Sequence, residues 1–211
     1  STISDVAKNQ IESKLGLKRK LEIIGYPIQE ITDLKWIKGI MFGTVGRLFD
    51  SYKRYELIGN TLDVLGVPRA SLVIVGPDRP NWGKYIGLLD TEMLNQFYNS
   101  TKFIFCLSYL EFLSLPLIES CIPSGTYPIC CLDNPIVKEL NLIEFAAEPN
   151  PISLAQKIND IEVNPKKYDE LLNELRPIFI EKYSVQNIAQ KILDLYQNYV
   201  TLNYNECNSK T

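Results

Sequence analysis

The sequence has no histidine among its 211 residues, and that absence excludes several chemistries at once. Imidazole-based nucleophilic triads, most catalytic zinc sites and any imidazole general base are ruled out. Cysteine occurs five times, an odd number, and without metal-ligand spacing, so neither a zinc site nor a complete disulfide framework is expected. Cys106, Cys121, Cys130 and Cys131 stand in apolar segments, where buried free thiols are the natural reading and a reducing, cytoplasmic setting fits. Lys and Arg form no block and the net charge is −3, which leaves no general electrostatic footprint for nucleic acid or an anionic membrane. No apolar run approaches the roughly 20 residues of a membrane helix, and no signal peptide is evident. The chain opens at Ser1, as removal of an initiator Met or a boundary inside a longer chain would each produce.

What is present is an ordinary globular composition, 45% apolar and 22% charged, long enough for one domain or one and a half. The stretch that organises the rest runs from Cys106 to Ile129, CLSYLEFLSLPLIESCIPSGTYPI. It begins as the tail of an apolar strand, passes through a loop at Glu111 to Ser114, and starts a helix at Leu115-Pro116, proline being tolerated in a first helical turn. Unpaired N–H groups and the positive end of a helix dipole there would hold a phosphate. Glu119 would lie about 6 Å along the helix axis from its start, at about 1.5 Å per residue, while Glu111 stays in the loop. This arrangement suits a nucleotide sugar, with Glu119 on ribose hydroxyls, diphosphate at the helix start and Glu111 at the sugar. Two solvated surface glutamates are the plain alternative.

Along the chain, apolar spacing predicts a helix over residues 1–20, capped by Ser4 or Asp5, a strand over Leu21 to Tyr26 and a linker over Pro27 to Lys38. Strands follow at Gly39 to Leu48, Ser71 to Val75, Lys84 to Gly87, Phe103 to Leu107, Tyr127 to Leu132 and Phe145 to Ala147. Helices are expected at Tyr52 to Leu65, Asp90 to Asn99, from Leu115, Asn134 to Leu140, Pro151 to Asp160, Tyr168 to Leu175 and Tyr183 to Val200. Strands alternating with helices imply βαβ units and a parallel sheet, with ligand at the carboxyl ends of the strands, where Arg47, Gly76 and Glu111 fall. Arg47 read alone is equally a surface residue at a strand end.

Glu111, seven residues, then Glu119, with Leu115-Pro116 between and Ser124-Gly125-Thr126-Tyr127-Pro128-Ile129 after, resembles the E-x7-E signature of retaining glycosyltransferases of the GT-B fold, glycosyltransferase family four. Val45-Gly46-Arg47-Leu48 with Lys53-Arg54 is similar to the loop in which that family uses an Arg and a Lys to neutralise the donor diphosphate. The lysine here is one residue further from the glycine than is common, so Lys53 or Arg54 takes the role. The likeness implies an α/β, Rossmann-like parallel sheet flanked by helices, the C-terminal half of a GT-B fold. It implies a remnant of the preceding domain plus linker at 1–38, a nucleotide-sugar-binding domain at 39–182, a helix crossing back at 183–202 and a tail at 203–211.

The implied activity is transfer of a hexose-type sugar from a nucleotide diphosphate donor with retention of configuration and without a bound metal or other cofactor. Glu111, Arg47 and Lys53 would carry catalysis. Gly46, Arg54, Gly76, Tyr85, Ile86, Phe112, Leu113, Ser114, Leu115 and Glu119 would bind the donor, Tyr85 and Ile86 lying on the short strand that faces the base. The family usually has glycine where this chain has Phe112 and Ser114, so donor preference is not inherited. The acceptor is unspecified, and the acceptor domain is missing from the likeness. A longer chain, a partner chain or a homodimer would supply it; otherwise the protein is a non-catalytic nucleotide-sugar binder or interaction module. A different doubly wound nucleotide-binding protein with a coincidental glutamate spacing is the third reading.

Overall fold

The computed structural model describes residues 4–15, 22–28, 33 and 39–208. Among the described residues six strands form one sheet: β1 (Ile40–Val45), β2 (Leu72–Val75), β3 (Lys84–Gly87), β4 (Thr101–Cys106), β5 (Tyr127–Cys131) and β6 (Ala146–Ala147). Their order is β3-β2-β1-β4-β5-β6 and every pairing is parallel. The parallel α/β sheet expected from the alternation, Rossmann-like as the resemblance implied, is therefore present. Long apolar runs make strands buried on both faces: Leu72 to Val75, Phe103 to Phe105 and Tyr127 to Cys131 are all buried. Phe42 stacks between Phe103 and Phe105 with ring centroids 5.7 and 5.8 Å away, fixing the central pair of strands.

Eight helices pack around the sheet among the described residues: α1 (Asp5–Leu15), α2 (Tyr55–Val64), α3 (Thr91–Ser100), α4 (Leu115–Glu119), α5 (Pro135–Glu139), α6 (Pro151–Val163), α7 (Pro165–Tyr183) and α8 (Val185–Asn208). The sheet winds one way from β1 to β3 and the other way from β4 to β6, so right-handed crossovers put α2 on one face and α3, α4 and α5 on the other. Asparagine followed by proline starts three of the helices. Asn134 accepts from the Ile136 N–H at 3.2 Å and Asn150 from the Ser153 N–H at 2.9 Å. Asn164 instead closes α6, donating to the Asp160 carbonyl at 3.2 Å, before Pro165 opens α7. Proline there has no N–H to leave unsatisfied and a preset φ. Asp90 caps α3 through the Met93 N–H at 2.8 Å, and Ser4 caps α1 through the Ala7 N–H at 3.1 Å.

Several sequence-based expectations need correction. The strand expected at Leu21 to Tyr26 is no more than an isolated bridge at Ile23 among the described residues, and Gly25, at φ 88°, ends any extended run. The helix expected from Tyr52 is a short 3-10 turn, Ser51–Lys53, then a break at Arg54 in the left-handed region (φ 55°) before α2 starts. Helix α7 does not stop before Pro177 but runs through it; burial of Phe179 and Tyr183 beyond the proline offsets the roughly 3 kcal/mol that proline costs inside a helix. Helix α8 continues to Asn208, past residue 203, where the tail was expected to begin. Residues 1–3 and 16–20 of the first expected helix, Leu21, and most of the linker, Trp36 included, lie outside the described residues.

Candidate functional site

The order β3-β2-β1-β4-β5-β6 reverses direction between β1 and β4, and in open parallel sheets the crevice at the carboxyl edge of such a switch point is where ligands bind. The loop after β1 carries Gly46, Arg47 and Lys53. The loop after β4 carries Glu111, Leu113 and Ser114. Lys53 and Glu111, 58 positions apart in sequence, form a hydrogen-bonded ion pair across the switch point, with side chains 19% and 15% exposed. The Tyr109 N–H donates to the Tyr52 carbonyl at 3.2 Å, tying the same two loops together.

Around this pair is an open crevice of about 550 Å³. Gly46, Arg47, Tyr52 and Lys53 form one wall, Gly76, Pro77, Leu88, Leu89 and Leu94 a second, and Glu111, Leu113, Leu115 and Pro116 the third. Arg47, Lys53 and Glu111 are its charged lining residues and apolar side chains line the β2–β3 side, a division that fits a ligand with a charged part and a flat apolar end. Arg47 is well exposed and sits 3.8 Å from Asp50. Asp50 also accepts from the Tyr52 hydroxyl at 2.8 Å, the main reason that the Tyr52 phenol is held above its ordinary pKa.

Two glycines shape the floor. Gly46 (φ 134°) donates its N–H to the Val75 carbonyl at 2.9 Å, and Gly76 donates to the Gly87 carbonyl at 3.0 Å. A Cβ on Gly76 would lie 2.2 Å from the Gly46 carbonyl oxygen, so the two backbones approach as closely as only glycine at 76 permits. Cys106 ends β4, and burial raises the pKa of its thiol.

The remaining expected site residues are placed differently. Arg54 turns away from the crevice: its guanidinium is bidentate to Asp133, donates to the Leu107 carbonyl at 3.3 Å and lies over the Tyr109 ring at 4.9 Å. That pairing holds the Asp133 carboxyl below its ordinary range. Lys53, not Arg54, is thus the cation beside Arg47. Glu119 lies under the crevice rather than in its wall, 3% exposed and accepting from the buried Tyr98 hydroxyl at 2.9 Å. Tyr85 props the turn after β2, its hydroxyl donating to the Gly76 carbonyl at 3.0 Å and the Pro77 carbonyl at 3.3 Å. Ile86 is on the exposed side of edge strand β3. Their place in the wall is taken by Leu88 and Leu89, whose signal was an apolar pair directly after a strand and before the Asp90 cap. Phe112 points outward, 40% exposed, and Ser114 is buried.

The anion site expected at the start of α4 is also reduced. The helix has five residues, too few for a large dipole. Pro116 has no N–H, and the Ile118 N–H is taken by the Ser114 carbonyl at 3.2 Å, so of the first four positions Leu115 and Leu117 are left to offer amides. Among the described residues no group of three Cys, Asp or Glu side chains converges to hold a metal ion, and no helix is long and apolar enough to cross a membrane.

No family model and no curated protein sequence matches the chain. Its fold, however, is shared with solved glycosyltransferase structures. A sucrose-phosphate synthase from Thermosynechococcus elongatus aligns over 95% of this chain and 58% of its own, at 17% identity and a TM-score of 0.76. A glycosyltransferase from Rickettsia africae aligns over 94% of this chain and 62% of its own, at 17% identity and a TM-score of 0.73. The pneumococcal O-GlcNAc transferase GtfA, solved with UDP and GlcNAc, aligns over 94% of this chain and 45% of its own, at 15% identity and a TM-score of 0.69. The chain spans 58%, 62% and 45% of these three proteins' lengths. At such identities the likeness establishes the fold, the Rossmann-like α/β of GT-B glycosyltransferases.

Proposed function

We propose that this chain is the donor-binding part of a glycosyltransferase, taking a nucleotide diphosphate sugar at the carboxyl edge of β1 and β4. The observation that carries the reading is the Lys53–Glu111 pair beside Arg47 at the switch point, flanked on one side by the apolar wall of Pro77, Leu88 and Leu89. The diphosphate lies against Arg47 and Lys53, the base against the apolar wall, and the sugar next to Glu111. As the glycosidic bond to the departing diphosphate breaks, negative charge grows on its bridging oxygen. Fixed cations close to that oxygen lower the barrier. Glu111 is placed to face the positive charge that develops on the sugar ring.

Transfer with retention of configuration and without a metal belongs to the same proposal, resting on the E-x7-E resemblance. Glu119, hydrogen-bonded to Tyr98 beneath the ribose position, either turns up to the ribose or supports the floor on which it rests. Residues up to 38 are the end of a preceding domain, and α8 leads back towards it. All crevice groups named above come from one sheet edge, so the acceptor is presented by another domain or chain facing that edge.

Calorimetric titration with UDP-, GDP- and ADP-sugars, for the wild type and Arg47→Ala, tests the donor site. Binding of one nucleotide class, weakened in the variant by about 1–3 kcal/mol for loss of a charged partner, is expected. Absence of binding by every sugar nucleotide would sink the proposal. Binding without sugar release in any acceptor mixture would instead favour a non-catalytic nucleotide-sugar module.

A further inference from the structure

Each cation that lines the crevice already has a carboxylate. Lys53 is paired with Glu111 and Arg47 with Asp50, so the site is neutral at rest although its proposed ligand is an anion. The two pairs differ in kind. Arg47 and Asp50 are 3.8 Å apart, with side chains 70% and 39% exposed, and such a pair yields to a competing anion at little cost. Lys53 and Glu111 are mostly enclosed, and separating an enclosed pair leaves each charge uncompensated unless another ion takes its place.

From this geometry we infer that Glu111 is the resting counter-ion of Lys53, and that a diphosphate enters by exchanging with it. The inference rests on the donor-site reading above and adds a competition to it. A phosphate oxygen replaces the Glu111 carboxylate at the Lys53 ammonium. The freed carboxylate swings to the sugar side of the crevice, where it becomes available only once the diphosphate is seated. When the nucleoside diphosphate product remains after transfer, Glu111 competes for Lys53 again and promotes release. The loops permit this exchange, since the Tyr109 to Tyr52 backbone bond keeps them together whichever anion Lys53 holds.

The consequence runs against the usual effect of deleting a site residue: neutralising Glu111 tightens the binding of a bare diphosphate. Calorimetric titration of inorganic pyrophosphate, UDP, GDP and ADP into the wild type, Glu111→Gln, Glu111→Asp and Lys53→Met tests it, with thermal unfolding of each variant as the folding control. Glu111→Gln is expected to bind the preferred diphosphate about ten-fold more tightly than the wild type, in line with removal of one charged competitor. Glu111→Asp, whose shorter side chain reaches Lys53 less well, falls between the two, and Lys53→Met loses most of the affinity. Equal or weaker binding by Glu111→Gln, with wild-type binding present and lost in Lys53→Met, overturns the exchange and leaves the donor site standing. Wild-type affinity retained by Lys53→Met also overturns the exchange. Failure of the wild type to bind any of the four probes removes both.

Discussion

Replacing Gly76 with alanine should damage both the fold and the crevice, and the structure sets the size of the effect. The added Cβ would lie 2.2 Å from the Gly46 carbonyl oxygen and 3.0 Å from its carbon, where packed atoms normally keep about 3.5 Å or more. The obstacle is backbone, so no rotamer change relieves it and the ends of β1 and β2 must part by about an ångström. Two hydrogen bonds meet at this point, from Gly46 to Val75 and from Gly76 to Gly87. Weakening them at about 0.5–1.5 kcal/mol each, together with overpacking of about 1–3 kcal/mol, gives a loss of about 2–6 kcal/mol. For a chain of this size that lowers the melting temperature by about 4–24 °C. Gly66→Ala is the control: Gly66 has φ 69° with nothing within 4 Å of an added Cβ, so it pays only the left-handed backbone cost of about 1–2 kcal/mol. Urea unfolding and calorimetric melting of both variants decide the matter. If Gly76→Ala is no less stable than Gly66→Ala, the close approach of the two loops is not what the structure describes and the argument for the crevice floor fails.

Tyr98→Phe removes the buried hydroxyl that donates to Glu119; a loss of about 1.5–3 kcal/mol is expected from a hydrogen bond to a charged group, read by urea unfolding, and a neutral result would show that Glu119 does not depend on Tyr98. The Arg54–Asp133 latch predicts a pH signature. Because Arg54 depresses the Asp133 pKa, the stabilisation is complete above the ordinary value of 3.8 and is lost as pH falls through the lower folded value. Asp133→Asn should therefore cost up to about 1 kcal/mol at neutral pH, a modest figure because Asp133 is partly exposed. The difference from the wild type should shrink on acidification below pH 3.8, and a constant difference would refute the latch. Burial pushes the Cys121 and Cys130 thiols well up, so native protein treated with iodoacetamide should leave both unmodified until denaturant is added. Mass-spectrometric detection of either adduct in the native state would contradict their enclosure.

The layout of the fold was legible in the chain because its signals are local. Continuous apolar runs of four to six residues punctuated by glycine and proline announced β1, β2, β4 and β5, and periods near 3.6 announced α2, α3 and α6. The misreadings are local as well. The run at Leu21 to Tyr26 has strand-forming residues, but Gly25 adopts a positive φ that ends it. Pro177 reads as a stop, yet the apolar residues beyond it reach the core and carry α7 onward. The Asn-Pro pairs at 134, 150 and 164 were a start signal available in the sequence and sharper than the spacing used to find those helices.

By itself the sequence determined a parallel α/β sheet and brought Gly46, Arg47, Gly76 and Glu111 to strand ends, since periodicity and turn chemistry act within a few residues of where they are written. Which of two adjacent cations faces the crevice was decided only in the tertiary structure. Arg54 takes a left-handed backbone and is drawn to Asp133, 79 positions away, leaving Lys53 to cross the switch point and meet Glu111. The same holds for Glu119, expected at the ligand surface and instead closed in against Tyr98. A side chain's partner is fixed by where the strands lie beside one another, and the order of strands in a sheet is a property of the whole chain that no single segment of it carries.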